Sequence, residues 1–306
     1  MRVTAVVPAT NDPPTLASCR AAIERADDPP DEILVVRDPP RSGPAAARNA
    51  GALRATGDAI VFVDSDVAIH RDAFARVRAT FLERPELTAV IGSYDDDPAD
   101  PALVSGFRNL LHHHVHQEAA GPVASFWGGI GAIRREAFLA AGGFDALRYP
   151  GPSIEDVELG MRLADSGAAI LLDPRLQGKH LKRWTLREMV VTDVLHRGAP
   201  WVELLLRRRR VPAELNLSWR HRLGAGAWLV AGAGLAARRP AVAGTAVAVA
   251  AGANQPFYAL LHRRLGPRGA AAGIGLHGLH YLSAAASVPL GAATFVRRLR
   301  ARHTAA

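Results

Sequence analysis

Two carboxylates, Asp64 and Asp66, flank a serine directly after Ile60 to Val63, a run of apolar and β-branched residues suited to a buried strand. In open α/β sheets ligands gather outside the carboxyl ends of the strands. Paired acids there suit a hard cation such as Mg2+ or Mn2+ shared with a substrate phosphate. The same residues can instead end the strand in a solvated turn, with Asp66 capping the next element. A second pair, Glu155 and Asp156, opens a segment in which Val157, Met161 and Leu163 recur at roughly helical spacing, and taken alone these acids can simply complement the helix dipole. A third cluster is KHLKRW, residues 179 to 184. It holds both lysines of the chain, Lys179 and Lys182, against thirty-five arginines in all. In a chain that otherwise uses arginine, a compact ammonium suits a phosphate that a forked guanidinium would not fit; a solvated face is the alternative.

These residues need strands and helices to position them. Val3 to Pro8 and Glu32 to Val36 read as strands around a helix from Leu16 to Ala26, a βαβ unit. An alanine-rich helix from Gly43 to Thr56 carries Arg48 and Asn49 and leads through Gly57-Asp58 into the strand before Asp64. A helix over Asp72 to Leu82 and a strand over Ala89 to Ser93 continue the alternation of a doubly wound, mostly parallel sheet. Val104 to Glu118 reads as a helix with His112, His113, His114 and His116. His112 and His116 fall at i and i+4, a spacing open to zinc but without a matching third ligand nearby. Ser125 to Ile133 reads as a strand and Arg135 to Ala141 as a helix. After the helix that begins at Glu155, Gly167 gives the stop before a strand over Ala169 to Leu172.

Charge divides the 306 residues unevenly. Residues 202 to 306 hold fifteen arginines against Glu203 and Glu214, a formal +13, and since the whole chain carries +8, residues 1 to 201 carry about −5. The reading is a soluble domain over 1–201, a basic interfacial linker over 202–222 and an apolar helical membrane region over 223–306. Within that region Leu223 to Ala237 is short and either lies at the interface or makes a third span, while Ala241 to Leu261 and Ala270 to Val296 are long enough to span a bilayer. Arginines at 207–210, 238–239, 263–264, 268 and 297–302 punctuate these runs, and the positive-inside rule puts the carboxyl-terminal ones in the cytoplasm. A soluble helical bundle is the alternative. The basic clusters lack interleaved aromatics, which argues against nucleic acid. The single cysteine, Cys19, excludes an intrachain disulfide, and Met1 leads directly into the first strand, so the amino-terminal domain is expected in the cytoplasm.

Taken in order, four segments resemble family 2 glycosyltransferases of the GT-A fold over residues 1 to about 201. VTAVVPATND is similar to the family's opening strand and nucleotide-contacting loop, and GPAAARNAGALRATGDAIVFVDSD to its arginine-asparagine helix and D-x-D motif. WGGIGAIRREAFLAAGGFD resembles the acceptor-side segment, and IEDVELGMRL the segment with the catalytic base. The resemblance implies a nucleotide-sugar donor, with a UDP-sugar favoured, and a divalent cation. It places Asp64 near the ribose and, with Asp66 and His180, on the metal, and Asp38 on the nucleobase. Pro8 and Ala9 would contact the nucleoside, with Arg48, Asn49, Lys179 and Lys182 on the donor side. It makes Asp156 the general base, with Glu155 beside it. Arg37 and Pro39-Pro40 depart from the family pattern. No Q-x-x-R-W sequence occurs; His196 to Trp201 stands in roughly that place, which favours single-sugar transfer.

The chemistry implied is inverting transfer to a hydroxyl of a glycan or lipid-linked acceptor at the cytoplasmic face of a membrane. The leaving diphosphate needs positive charge, and the acceptor needs a base on the opposite face of the sugar. Two rivals stand beside it. A nucleotidyltransferase predicts a Gly- and Lys-rich phosphate loop after the first strand, where Pro8 to Pro14 has neither residue. A non-catalytic, membrane-tethered nucleotide-sugar-binding protein predicts a degenerate site.

Overall fold

The structure is a computed structural model that describes residues 1–209, 211, 215 and 218–304. The chain forms two compact units, Met1–Asp100 with Val115–Lys182, and Pro101–His114 with Arg183–Ala306. The first unit contains β1 (Val3–Pro8), α1 (Leu16–Glu24), β2 (Glu32–Val36), α2 (Gly43–Arg54), β3 (Ala59–Val63), β4 (Val67–Ile69), α3 (Ala73–Glu83) and β5 (Leu87–Tyr94). It ends with the last residues of α4 (Leu103–Glu118), then β6 (Gly121–Pro122), β7 (Ile130–Arg134), α5 (Arg135–Ala140), α6 (Glu155–Asp165) and β8 (Ala169–His180).

The strands pair in the order β2-β1-β3-β7-β5-β8-β4, with β6 also on β8. Both β1 and β3 are buried along their whole length, as their near-continuous apolar sequences require. One face of β3 sends Phe62 into Phe126, Phe138 and Phe144. From the other face, Val61 and Val63 join Val3 and Val7 under Cys19 and Ile23 of α1 and Phe74 and Val77 of α3.

Three expectations change in the structure. The sheet is mixed rather than mostly parallel, because β7 enters between β3 and β5 antiparallel to both. Of the expected strand Ser125 to Ile133, only Ile130 onward pairs. The glycines before it let the backbone fold as a loop, with a Cβ on Gly129 falling 2.4 Å from the Trp127 ring. And β8 does not stop at Leu172. It shifts register against β5 between Ile91 and Ser93, passes Pro174, and resumes with Gln177 opposite Ser93 and Gly178 opposite Tyr94. Gly92 permits this, since a Cβ there would meet the Leu176 carbonyl oxygen at 2.2 Å.

In the second unit α7 (Leu186–Val191), a π-helical stretch (Thr192–Gly198) and α8 (Ala199–Arg208) run on without a break. A capping box starts them: the Glu188 amide donates to Thr185 Oγ1, and the Thr185 amide donates to the Glu188 carboxylate. The π turn carries Asp193 inward, where it accepts from Arg108 Nη1 at 2.7 Å and meets His280 Nδ1 at 2.8 Å. Then come α9 (Trp219–Ala236), α10 (Pro240–Ala253) and α11 (Gln255–Thr304). The expected span Ala241 to Leu261 is interrupted at Asn254, whose side-chain amide donates to the Ala250 carbonyl and ends α10. The long α11 is itself broken at Gly266, where φ is 70° and ψ 179°, and beyond the break Gly273 lies against Leu261. Among the described residues one helix, Gln255–Ala301, is long and apolar enough to cross a membrane. Within the linker expected over 202–222, residues 210, 212–214 and 216–217 lie outside the described residues.

Candidate active site

The turn after β3 is anchored at both ends. The Asp64 amide donates to the Gly129 carbonyl at 3.0 Å, and the Val67 amide donates to the Asp64 carbonyl at 2.9 Å. Beneath it the buried Cys19 thiol donates to the same Asp64 carbonyl at 3.4 Å. Burial, and then Asp64 and Asp66, push that thiol up to about 12, so it stays protonated and serves as packing.

Antiparallel pairing of β4 with β8 sets His180 opposite Val67, and the Leu181 amide donates to the Asp66 carbonyl at 2.8 Å. His180 Nε2 thereby stands 3.7 Å from Asp66 Oδ2. That is beyond a hydrogen bond but within the span of two donors each about 2.1 Å from one cation. The imidazole lies flat on Tyr94, with centroids 4.1 Å apart and planes 12° off parallel, and Trp127 packs edge-on against Tyr94. Burial works to raise the Asp66 carboxyl, but the His180 ring and the Lys182 ammonium outweigh it and hold it below the ordinary carboxylate range. Lys179, one residue before His180 on the strand, faces the other way and donates to the Asp97 carboxylate and carbonyl. One carboxylate and one imidazole suit Mg2+ or Mn2+ if substrate phosphates and water complete the shell. Among the described residues no group of three or more His, Cys, Asp or Glu side chains gathers for a metal. The zinc option on α4 accordingly finds no partner set: His116 turns Nδ1 to the Gly92 carbonyl at 2.7 Å.

Arg48 projects from α2 into the space between the two acid pairs. Its Nη2 donates to Asp64 Oδ1 at 2.6 Å and its Nη1 to Glu155 Oε1 at 2.9 Å. Burial would lower the guanidinium's pKa, but the neighbouring carboxylates raise it above its ordinary value, so it stays charged. Burial also pushes both bonded carboxyls up; Arg48 opposes this, while the second acid of each pair adds to it. Asp156 is half-buried at the start of α6, where Oδ2 accepts from the Gly128 amide at 3.1 Å and Oδ1 from the Val157 amide at 2.8 Å.

The remaining expected site residues are dispersed around this centre. Asn49 makes both its amide hydrogen bonds to the backbone of Phe144. Pro8 and Ala9 end β1, with the Ala9 amide donating to the Val36 carbonyl. Asp38 is exposed in the loop after β2, beside a backbone bond from Arg41 to the Thr10 carbonyl. Tyr94, Trp127 and Gly128 were not singled out as site residues from the sequence. The signals present were an aromatic at the end of a strand and a tryptophan before paired glycines.

Residues 36–140, which include Arg48, Asp64 and Asp66, match the family model described as Glycosyl transferase family 2. A pre-mycofactocin glycosyltransferase of Mycobacterium tuberculosis is 28% identical over 181 residues, covering 55% of this chain and 36% of that protein. The chain therefore spans about a third of the length of this curated relative. The mannosyltransferase PcManGT from Pyrobaculum calidifontis, solved in complex with GDP-Man and Mn2+, shares the fold with a TM-score of 0.57 at 20% identity. That likeness covers 94% of this chain and 86% of the mannosyltransferase. Residues 36–140 are thus similar to family 2 glycosyltransferases, and the chain shares the GT-A fold of the mannosyltransferase.

Proposed function

We propose that the protein is an inverting, metal-dependent glycosyltransferase that moves a sugar from a nucleotide-sugar, a UDP-sugar in the favoured reading, to a hydroxyl or lipid-linked acceptor at the cytoplasmic face of a membrane. The observation that supports this reading is the placing of two acid pairs around Arg48 within the first unit. Asp66 and His180 stand 3.7 Å apart on one side, and Asp156 is accessible at the head of α6 on the other. A divalent cation held by Asp66 and His180 would supply positive charge to the departing diphosphate. Lys182, close enough to lower the Asp66 pKa, adds to that charge. Asp156 takes the proton of the acceptor hydroxyl as its oxygen bonds to the anomeric carbon, while the bond from that carbon to the diphosphate oxygen breaks. Attack from the face opposite the leaving group inverts the anomeric centre.

The membrane part of the reading rests on the second unit. Exposed Leu229, Val230, Leu235, Val242 and Val249 line α9 and α10, with Arg238 and Arg239 between those helices. The Pyrobaculum mannosyltransferase was solved with Mn2+ and the sugar nucleotide GDP-Man, which supports a cation and a donor of this class.

Donor hydrolysis and transfer are measured against a panel of UDP-, GDP- and dTDP-sugars with and without Mn2+. Turnover that needs the cation, and that Asp156→Asn removes while donor binding persists, is the expected result. Retained turnover in that variant sinks the base assignment. Binding of a sugar nucleotide without any turnover favours a non-catalytic nucleotide-sugar-binding protein.

A further inference from the structure

Each acid pair has one member tied to the same side chain. Arg48 is 4% exposed, and its fork spends one nitrogen on Asp64 and another on Glu155. The rest of the surroundings fixes that fork. Gly128 closes one side, since a Cβ there would stand 2.9 Å from Arg48 Cζ, and the Phe144 ring lies 5.4 Å below the guanidinium. The Arg48 Nε is buried with no hydrogen-bond partner among the described residues, so both specific bonds run through the two terminal nitrogens. The second oxygen of Glu155 accepts from the Ser153 amide at 3.0 Å, which fixes the carboxylate at the head of α6. We propose that Arg48 is a positioning residue that locks the two acid pairs to one another. By holding Asp64 and Glu155 it leaves Asp66 for the cation and Asp156 for the acceptor proton.

The physical argument is geometric. A planar guanidinium offers two donors in a fixed relation, so the carboxylate after β3 and the one that opens α6 cannot shift independently. The groups left to the reaction lie close to the bonded ones in the chain, Asp66 two residues beyond Asp64 and Asp156 next to Glu155. A lysine carries the same charge but a single nitrogen, and it cannot bond both acids in this relation. Asp64 is on this account a held residue whose contribution passes through Arg48, not a primary cation ligand.

The inference rests on the transfer reaction proposed above, and its test separates the two. In Arg48→Lys, kcat is expected to fall by about a hundredfold, the cost of a misplacement near 1 Å. Binding of Mn2+ with a nucleoside diphosphate, measured by calorimetry, should stay within about threefold, because Asp66 and His180 do not bond Arg48. Guanidinium ion added to Arg48→Ala should restore part of kcat without changing the donor KM. If Arg48→Ala does not fold, the Lys variant alone decides. A kcat for Arg48→Lys within about threefold of the parent, or a loss lying wholly in Mn2+ affinity or donor KM, overturns the proposal. A stability cycle needs no turnover at all. Asp64→Asn and Glu155→Gln should be coupled in the parent protein and additive in the Arg48→Lys background; additivity in both overturns the role of Arg48. A protein that turned over no donor would sink the proposed reaction while the cycle still decided this one.

Discussion

Asp66 and His180 lie far apart in the chain, and what brings them to 3.7 Å is the pairing of a three-residue strand with the far end of β8. Their types made both plausible as ligands in the sequence, and the order of family-like segments named them; their meeting was not legible. It depends on β8 continuing past Asp173-Pro174, a dipeptide that ordinarily ends a strand and here sits at a register shift. The lysine pair was legible as a cluster, but not the alternation that turns Lys179 toward Asp97 and leaves Lys182 near Asp66. Two predictions belong at this scale. Asp66→Asn and His180→Ala should each weaken Mn2+ binding in the presence of a nucleoside diphosphate by about tenfold or more, read by calorimetry. Unchanged affinity in both variants removes the cation from this corner of the site. Lys182→Ala should raise the donor KM more than Lys179→Ala, because Lys182 is close enough to Asp66 to lower its pKa while Lys179 donates to Asp97; the reverse order would mean that Asp97 releases Lys179 to the donor.

Among the elements, α6 is the one whose seating matters most to the proposed reaction, because it carries Glu155 and Asp156 at its first turn. Its Gly160 packs directly on the chain before Gly128: a Cβ would fall 2.0 Å from the Phe126 amide nitrogen and 2.4 Å from the Ser125 carbonyl carbon. The helical pattern from Glu155 was readable, but nothing in the sequence said that a glycine in mid-helix marks a backbone-to-backbone contact. Gly160→Ala should therefore lift α6 off this loop, cost about 1–3 kcal/mol in thermal unfolding and reduce kcat with it. A variant of full stability and activity would show that the contact yields cheaply. The first strand has its own fastening. Asp31 accepts from the Val3 amide at 2.7 Å and from Arg78 at 2.8 Å, and these bonds hold its carboxyl below the ordinary 3.8. With a depressed folded pKa, the stabilisation is present above pH about 4 and is lost as pH falls through the folded value. Thermal melts of the parent and Asp31→Asn should differ most near neutrality and converge in acid; a gap that stayed unchanged throughout the acid range would contradict the assignment.

Across the whole molecule, charge and hydropathy separate along the chain. The excess of arginine in residues 202–306 was plain in composition, whereas the breaks at Asn254 and Gly266 were not, because alanine and glycine runs carry no signal of where a helix folds back. Among the described residues one helix is apolar and long enough to cross a bilayer, and large apolar side chains are exposed on α9 and α10. An exposed Leu235 and Trp219 beside arginines resembles the composition of a membrane interface more than that of a soluble surface. Two forces would then act on different scales of salt. Arginine attraction to anionic headgroups is screened within about 10 Å at 0.1 M salt, while burial of leucine and valine in the hydrocarbon is not. The full chain should accordingly float with vesicles containing phosphatidylglycerol and less well with pure phosphatidylcholine. It should bind faster at low salt and, once bound, resist release by about 1 M NaCl or by alkaline carbonate. Complete release by salt would leave only electrostatic adsorption and remove the apolar anchor. Equal flotation on both vesicle types would instead leave the arginines without a role at the surface. Transfer to a water-soluble acceptor that was unaffected by vesicles would then separate where the enzyme sits from what it glycosylates.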